Sequence, residues 1–143
     1  MKSKAPLAMM EQIVMLLVFA LAAALCLQAF VKSDQLSKRS EARDRAAVLC
    51  QNAAEVIRSE GGNFNKAAER LGLTFGQGST MFRYYDADWN PLSDIEGAYC
   101  LTIHGLYDTP PGLGKASVSV VSEESGLLFE IEVAWQEEVF ARG

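Results

Sequence analysis

The sequence predicts an α+β protein: a long N-terminal helix, partly membrane-spanning and partly a stalk, packed on a four-stranded antiparallel sheet. Three observations carry this prediction. Ile13 to Val31 is an apolar stretch without charge, in which Gln28 is the one polar side chain. Gly and Pro are both absent from Asp34 to Glu60. After Ser79 the apolar residues change from three- or four-residue spacing to alternation, the period of a strand.

The first element is the membrane segment. About 19 residues at roughly 1.5 Å rise each cross the hydrocarbon core of a bilayer. Ala22-Ala23-Ala24 fits a signal-peptidase site, but the apolar run continues past it to Val31 with no polar start beyond. Leu25 stands before Cys26 where a lipoprotein-type site wants a small residue. The segment therefore reads as a retained single-pass anchor. The expected division is a flank at 1–12, a transmembrane helix at 13–31, a stalk helix at 32–60 and a small α+β domain at 61–143.

The stalk follows without a breaker, so one helix from about Met9 to Ser59 is expected. Ala46, Cys50, Ala53 and Ile57 recur at three- or four-residue spacing and give it an apolar stripe, whereas Lys38 to Arg45 is charged on all sides. Gly61-Gly62 ends it. Asn63 then caps a short helix, Phe64 to Leu71, closed by Gly72. Four strands are predicted next: Met81–Tyr85, Gly97–Tyr107, Ala116–Ser122 and Leu127–Trp135. Asp86 to Pro91 and Glu123 to Gly126 are turn material, and Asp108 to Gly114 contains Pro110-Pro111-Gly112 and reads as loop. In the last strand Phe129, Ile131, Val133 and Trp135 alternate with Glu130 and Glu132. A sheet with one apolar face needs a cover, and the Ala46–Ile57 stripe is the cover available.

Charge divides along the chain. From Ala46 onward there are six Lys/Arg against fourteen Asp/Glu, so the domain is acidic and nucleic acid is not an expected partner. The three cysteines lack C-x-x-C spacing, and one His cannot complete a zinc site. Cys50 and Cys100 are candidates for a bridge in an oxidising compartment, or two small buried apolar side chains.

The chain resembles the type IV pilin and type II secretion pseudopilin family, in which a membrane helix continues into a stalk that docks on a small antiparallel sheet. Met9-Met10-Glu11-Gln12-Ile13-Val14-Met15-Leu16-Leu17-Val18 is similar to that family's mature start, where a Glu lies a few residues into an apolar helix. The resemblance implies that Glu11 takes part in assembly, neutralising a neighbouring subunit's terminal amine as helices bundle. It also implies a domain outside the cytoplasmic membrane. The chain departs from the family at the processing site: counting back from Glu11 places Leu7 at the mature start and Pro6 where the family has Gly. The other reading of Glu11 is a headgroup-level carboxylate favoured by the helix dipole. For topology, Lys32, Lys38, Arg39, Arg43 and Arg45 after the anchor argue by the positive-inside rule for a cytoplasmic domain, against the resemblance.

Remaining candidate chemistry is sparse. Asp86, Asp88 and Asn90 space their oxygens like the opening of a calcium loop, yet Pro91 stands where such a loop needs Gly, and a hydrogen-bonded turn explains the same residues. Some pseudopilins hold calcium in a sheet loop, which the resemblance adds. His104 alternates with exposed positions and has no nucleophile motif beside it; Glu137 and Glu138 read as a solvated pair. The expectation is a non-enzymatic subunit without cofactor, its partners membrane lipid and other pilin-like or secretion-system subunits. The alternative is a monomeric single-pass protein carrying an extracytoplasmic ligand-binding module.

Overall fold

The computed structural model describes residues 4–93 and 96–137, so Glu138 lies outside the described residues. The chain divides into two compact units, Met1–Glu41 and Ala42–Gly143. The first helix, α1, runs Ala5–Ser59 and enters both. It starts four residues earlier than expected because Pro6 sits in its first turn, where a missing N–H costs nothing. Ala8 N donates to Lys4 O at 3.2 Å and closes that turn.

Within the first unit every described side chain from Lys4 to Glu41 is exposed. Leu16, Phe19, Leu25 and Phe30 are among them, and water would solvate such a surface poorly. Among the described residues α1 is the one helix long and apolar enough to cross a membrane.

In the second unit α1 acquires a buried stripe of Ala46, Cys50, Ala53, Ala54 and Ile57. The helix stops at two glycines for a specific reason. Gly62 N donates to Ile57 O and Gly61 N to Arg58 O, while Gly61 takes a left-handed φ of 59° that a side chain would strain. The Asn63 side chain accepts from Lys66 N at 3.2 Å and starts α2, Phe64–Leu71. Arg70 reaches back to Glu60 at 2.7 Å and ties the two helices together at the surface.

Among the described residues the sheet has five strands, all antiparallel, in the order β1 (Thr74–Phe75), β2 (Thr80–Tyr85), β3 (Tyr99–Leu106), β4 (Leu113–Ser122) and β5 (Gly126–Gln136). This corrects the expected four. The additional strand is two residues long, too short to show a period, and pairs Thr74 with Phe82 and Phe75 with Met81. β4 also begins earlier than expected, at Leu113, pairing with Gln136. Leu101 and Ile103 on β3, Val118 and Val120 on β4, and Met81 on β2 form one core with the stripe of α1. A bulge falls between Val120 and Val121, where pairing steps from Phe129 to Leu127. Leu128, skipped by that step, turns inward and is buried, although plain alternation would place it with Glu130 and Glu132.

Trp135 closes the other end of the core. Its ring meets Phe64 edge-on, centroids 5.6 Å apart. The indole lies in a slot made by two glycines: a Cβ at Gly62 would stand 2.0 Å from its Nε1, and one at Gly114 2.2 Å from its Cε2.

Candidate functional site

Glu11 lies on α1 beyond its first turn, which contains no acidic residue. The macrodipole acts within the first turn, so its pull on Glu11 is weak. Around it Leu7, Met10, Val14 and Met15 line a shallow apolar groove on the helix surface. At the bilayer centre a charged side chain costs roughly 2.5–3.5 kcal/mol unless it finds a partner, and Glu11 stands two residues before the start of the Ile13–Val31 span. Lys4 is the one cation among the described residues preceding Glu11, about two turns away.

Asp86, Asp88 and Asn90 form a turn. Asp86 Oδ1 accepts from Asp88 N at 2.9 Å and Asn90 N at 2.8 Å, and its Oδ2 accepts from Asn90 Nδ2 at 3.1 Å. Hydrogen bonds from the Asn90 backbone and side chain hold the Asp86 carboxyl below the usual carboxylate range. Both oxygens are thus engaged by the turn itself, and among the described residues no three metal-capable side chains gather. The turn positions Trp89, which takes an unusual φ of 65° and stacks on Tyr99 at 3.9 Å and 11°. Trp89 and Tyr99 pack against the core, Tyr85 is buried, and Tyr107 is exposed. Tyr85, Trp89 and Tyr99 therefore fill or border the core, while Tyr84 meets Phe82 edge-on outside it and Tyr107, like Phe75, is a surface ring.

The cysteines are free thiols. Cys50 faces the core from α1, whereas Cys100 alternates with buried Leu101 and contacts Thr102 Oγ1, so it lies on the sheet face away from that core. The bridge considered from sequence does not form, because strand parity sets the two on opposite sides. Burial pushes the Cys50 thiol up to about 12, with the Glu130 carboxylate adding to the shift. Because this acid's folded value lies above its unfolded one, the contribution is present below about pH 8.5 and is lost as pH rises toward 12. Native protein at pH 8 is expected to react with a bulky maleimide at Cys100 and not at Cys50. Mass mapping of the labelled peptides checks this, and full labelling of Cys50 would contradict its placement.

The sheet face turned away from the core holds groups that sequence reading did not assemble. His104 pairs with Thr80 across Nδ1 and Oγ1 at 3.0 Å. With Tyr107, Asp108, Thr109, Lys115 and Glu132 it borders an open groove of about 330 Å³. Farther along, register places Val121 opposite Leu127, Ser119 opposite Glu130 and Ser117 opposite Glu132. Val121 and Leu127 are exposed apolar side chains beside exposed Glu123, Glu124, Glu130 and Glu132. This patch depends on the bulge, and a strict alternating pattern conceals it. Set against family models, curated proteins and solved structures, the chain finds no match.

Proposed function

We propose that this protein is a pilin-like, single-pass membrane subunit, a minor or accessory component of a type IV pilus or type II secretion-like assembly. Its acidic domain would lie outside the cytoplasmic membrane, and it would act by helix bundling rather than by catalysis. The observation that carries the reading is α1 itself. One unbroken helix presents an exposed apolar surface with Glu11 near its start and commits its last turns to the core under an antiparallel sheet. Lipid is a sufficient solvent for the apolar side chains but not for the carboxylate, which favours a neighbouring cation or terminal amine as its partner.

The test is Glu11→Gln in the full-length chain, read as recovery of pilin-like neighbours on affinity purification from membranes. Recovery is expected to fall about tenfold or more, the equivalent of ~1.4 kcal/mol. Unchanged recovery would reject the assembly role. Sidedness is checked by labelling Ser125→Cys in intact cells in a Cys100→Ser background, with labelling only after lysis placing the domain in the cytoplasm. The second reading, a tethered monomeric binding module, draws on the groove beside His104. It predicts a protein that purifies alone whatever stands at position 11.

A further inference from the structure

Between the membrane segment and the core-facing stripe, α1 carries Lys32, Leu36, Arg39 and Arg43 at four-, three- and four-residue spacing, hence on one side of the helix. The same spacing continues into Ala46, Cys50, Ala53 and Ile57, which the domain covers. Lys32, Leu36, Arg39 and Arg43 are all exposed, and Leu36 is 74% accessible. Among the described residues Lys32, Arg39 and Arg43 have no ion pair, whereas Lys38 pairs with Asp34 and Arg70 with Glu60. An exposed leucine bordered by three unpaired cations is thus left without a cover.

The β4–β5 hairpin presents the complement. Val121 and Leu127, 39% and 56% accessible, share the face that carries Glu130 and Glu132, with Glu123 and Glu124 in the adjoining turn. Ser117 donates to Glu130 at 2.7 Å, and the carboxylates of Glu123, Glu124 and Glu132 form no ion pair among the described residues, although Glu123 N donates to Ala98 O. Apolar meets apolar and cation meets carboxylate if these two surfaces are brought together.

We infer that the acidic β4–β5 face of one copy docks on the Lys32–Arg43 stripe of a second copy of this chain. The inference rests on the assembly reading above and names the surfaces it would use. Each copy keeps its other surface available for the same contact, so the pairing is either returned by the same partner about a two-fold axis or continued head to tail to a third copy. Rim charges set register and make the contact weaken with salt, while Leu36 against Val121 and Leu127 supplies the dry centre.

The experiment uses two differently tagged full-length copies co-expressed in membranes, in a Cys100→Ser background. Leu36→Cys on one and Leu127→Cys on the other are expected to give a mixed-tag disulfide dimer, with the 36/36 and 127/127 pairs giving little. Arg39→Glu with Arg43→Glu should reduce mixed-tag recovery about tenfold, as should Glu130→Lys with Glu132→Lys, and combining the two reversals should restore most of it. Recovery that is insensitive to both reversals while Glu11→Gln still abolishes it would overturn this contact and leave the assembly reading standing. Absence of any mixed-tag recovery in the unreversed chain would overturn this contact, and the assembly reading falls with it only if recovery of pilin-like neighbours is also unchanged by Glu11→Gln. Should the Arg39/Arg43 reversal act only in vesicles containing anionic lipid, and the Glu130/Glu132 reversal have no effect, the stripe binds headgroups and the inference is wrong.

Discussion

Full-length protein carrying Gly62→Ala is expected to lose roughly 3–4 kcal/mol of domain stability, and Gly114→Ala roughly 2–3 kcal/mol. Both changes add one methyl group, and both drive it into the Trp135 indole, a rigid ring that cannot fold aside. Gly62 carries a second penalty because its φ of 79° lies in the left-handed region. The two causes separate in a Trp135→Leu background. There the Gly114→Ala cost should nearly vanish, while Gly62→Ala should retain roughly 1 kcal/mol for its backbone. Trp135 Nε1 has no hydrogen-bond acceptor among the described residues, so removing the indole leaves no acceptor stranded. Urea unfolding followed by tryptophan fluorescence reads the domain alone, because Trp89 and Trp135 are the chain's two tryptophans and both lie beyond residue 42. Equal costs in the two backgrounds would show that close approach to the ring is not what these glycines provide.

Gly114 also illustrates why parts of the fold were hard to read. Beside Pro110-Pro111-Gly112 it looks like loop, yet it pairs with Trp135 inside β4, and its missing side chain is the seat for the ring. The elements read correctly were those with a repeated period or a distinctive stop. The stripe from Ala46 to Ile57, the Gly61-Gly62 end, the Asn63 cap and the alternation of Leu101 with Ile103 all matched. Thr74–Phe75 has no length over which to alternate, and the Val120/Val121 bulge breaks the alternation of β5 at Leu128. Local sequence specifies neither, since both are settled by pairing with a distant partner. For the candidate site, Glu11 was singled out because an acid bordering an apolar run stands out by type alone. The acidic face with Val121 and Leu127 was not, since its membership depends on register and on that bulge. Asp86 was legible as a turn former, and only its hydrogen bonds decide that its oxygens are already engaged.

Ile57→Ala should destabilise the domain by roughly 2–5 kcal/mol, whereas Leu36→Ala should change its stability by less than about 0.5 kcal/mol. The two residues belong to one three-and-four spacing on α1, so any difference between them comes from cover and not from helix position. Ile57 is fully buried, and its truncation leaves a cavity in the core between α1 and the sheet. The surrounding groups can collapse only partly: Ala53 and Ala54 are already small, and Gly62 N holds the Ile57 carbonyl in the helix stop. Leu36 has no such cover among the described residues, and alanine's higher helix propensity offsets what little is lost. Its truncation should instead weaken association between copies if the β4–β5 face of a second chain covers it. Measuring fluorescence-detected unfolding and mixed-tag recovery on the same two variants places each residue by which quantity moves. An unfolding shift at Leu36 comparable to that at Ile57 would mean that the stripe is covered within one chain, and the division of α1 between folding and assembly would fail.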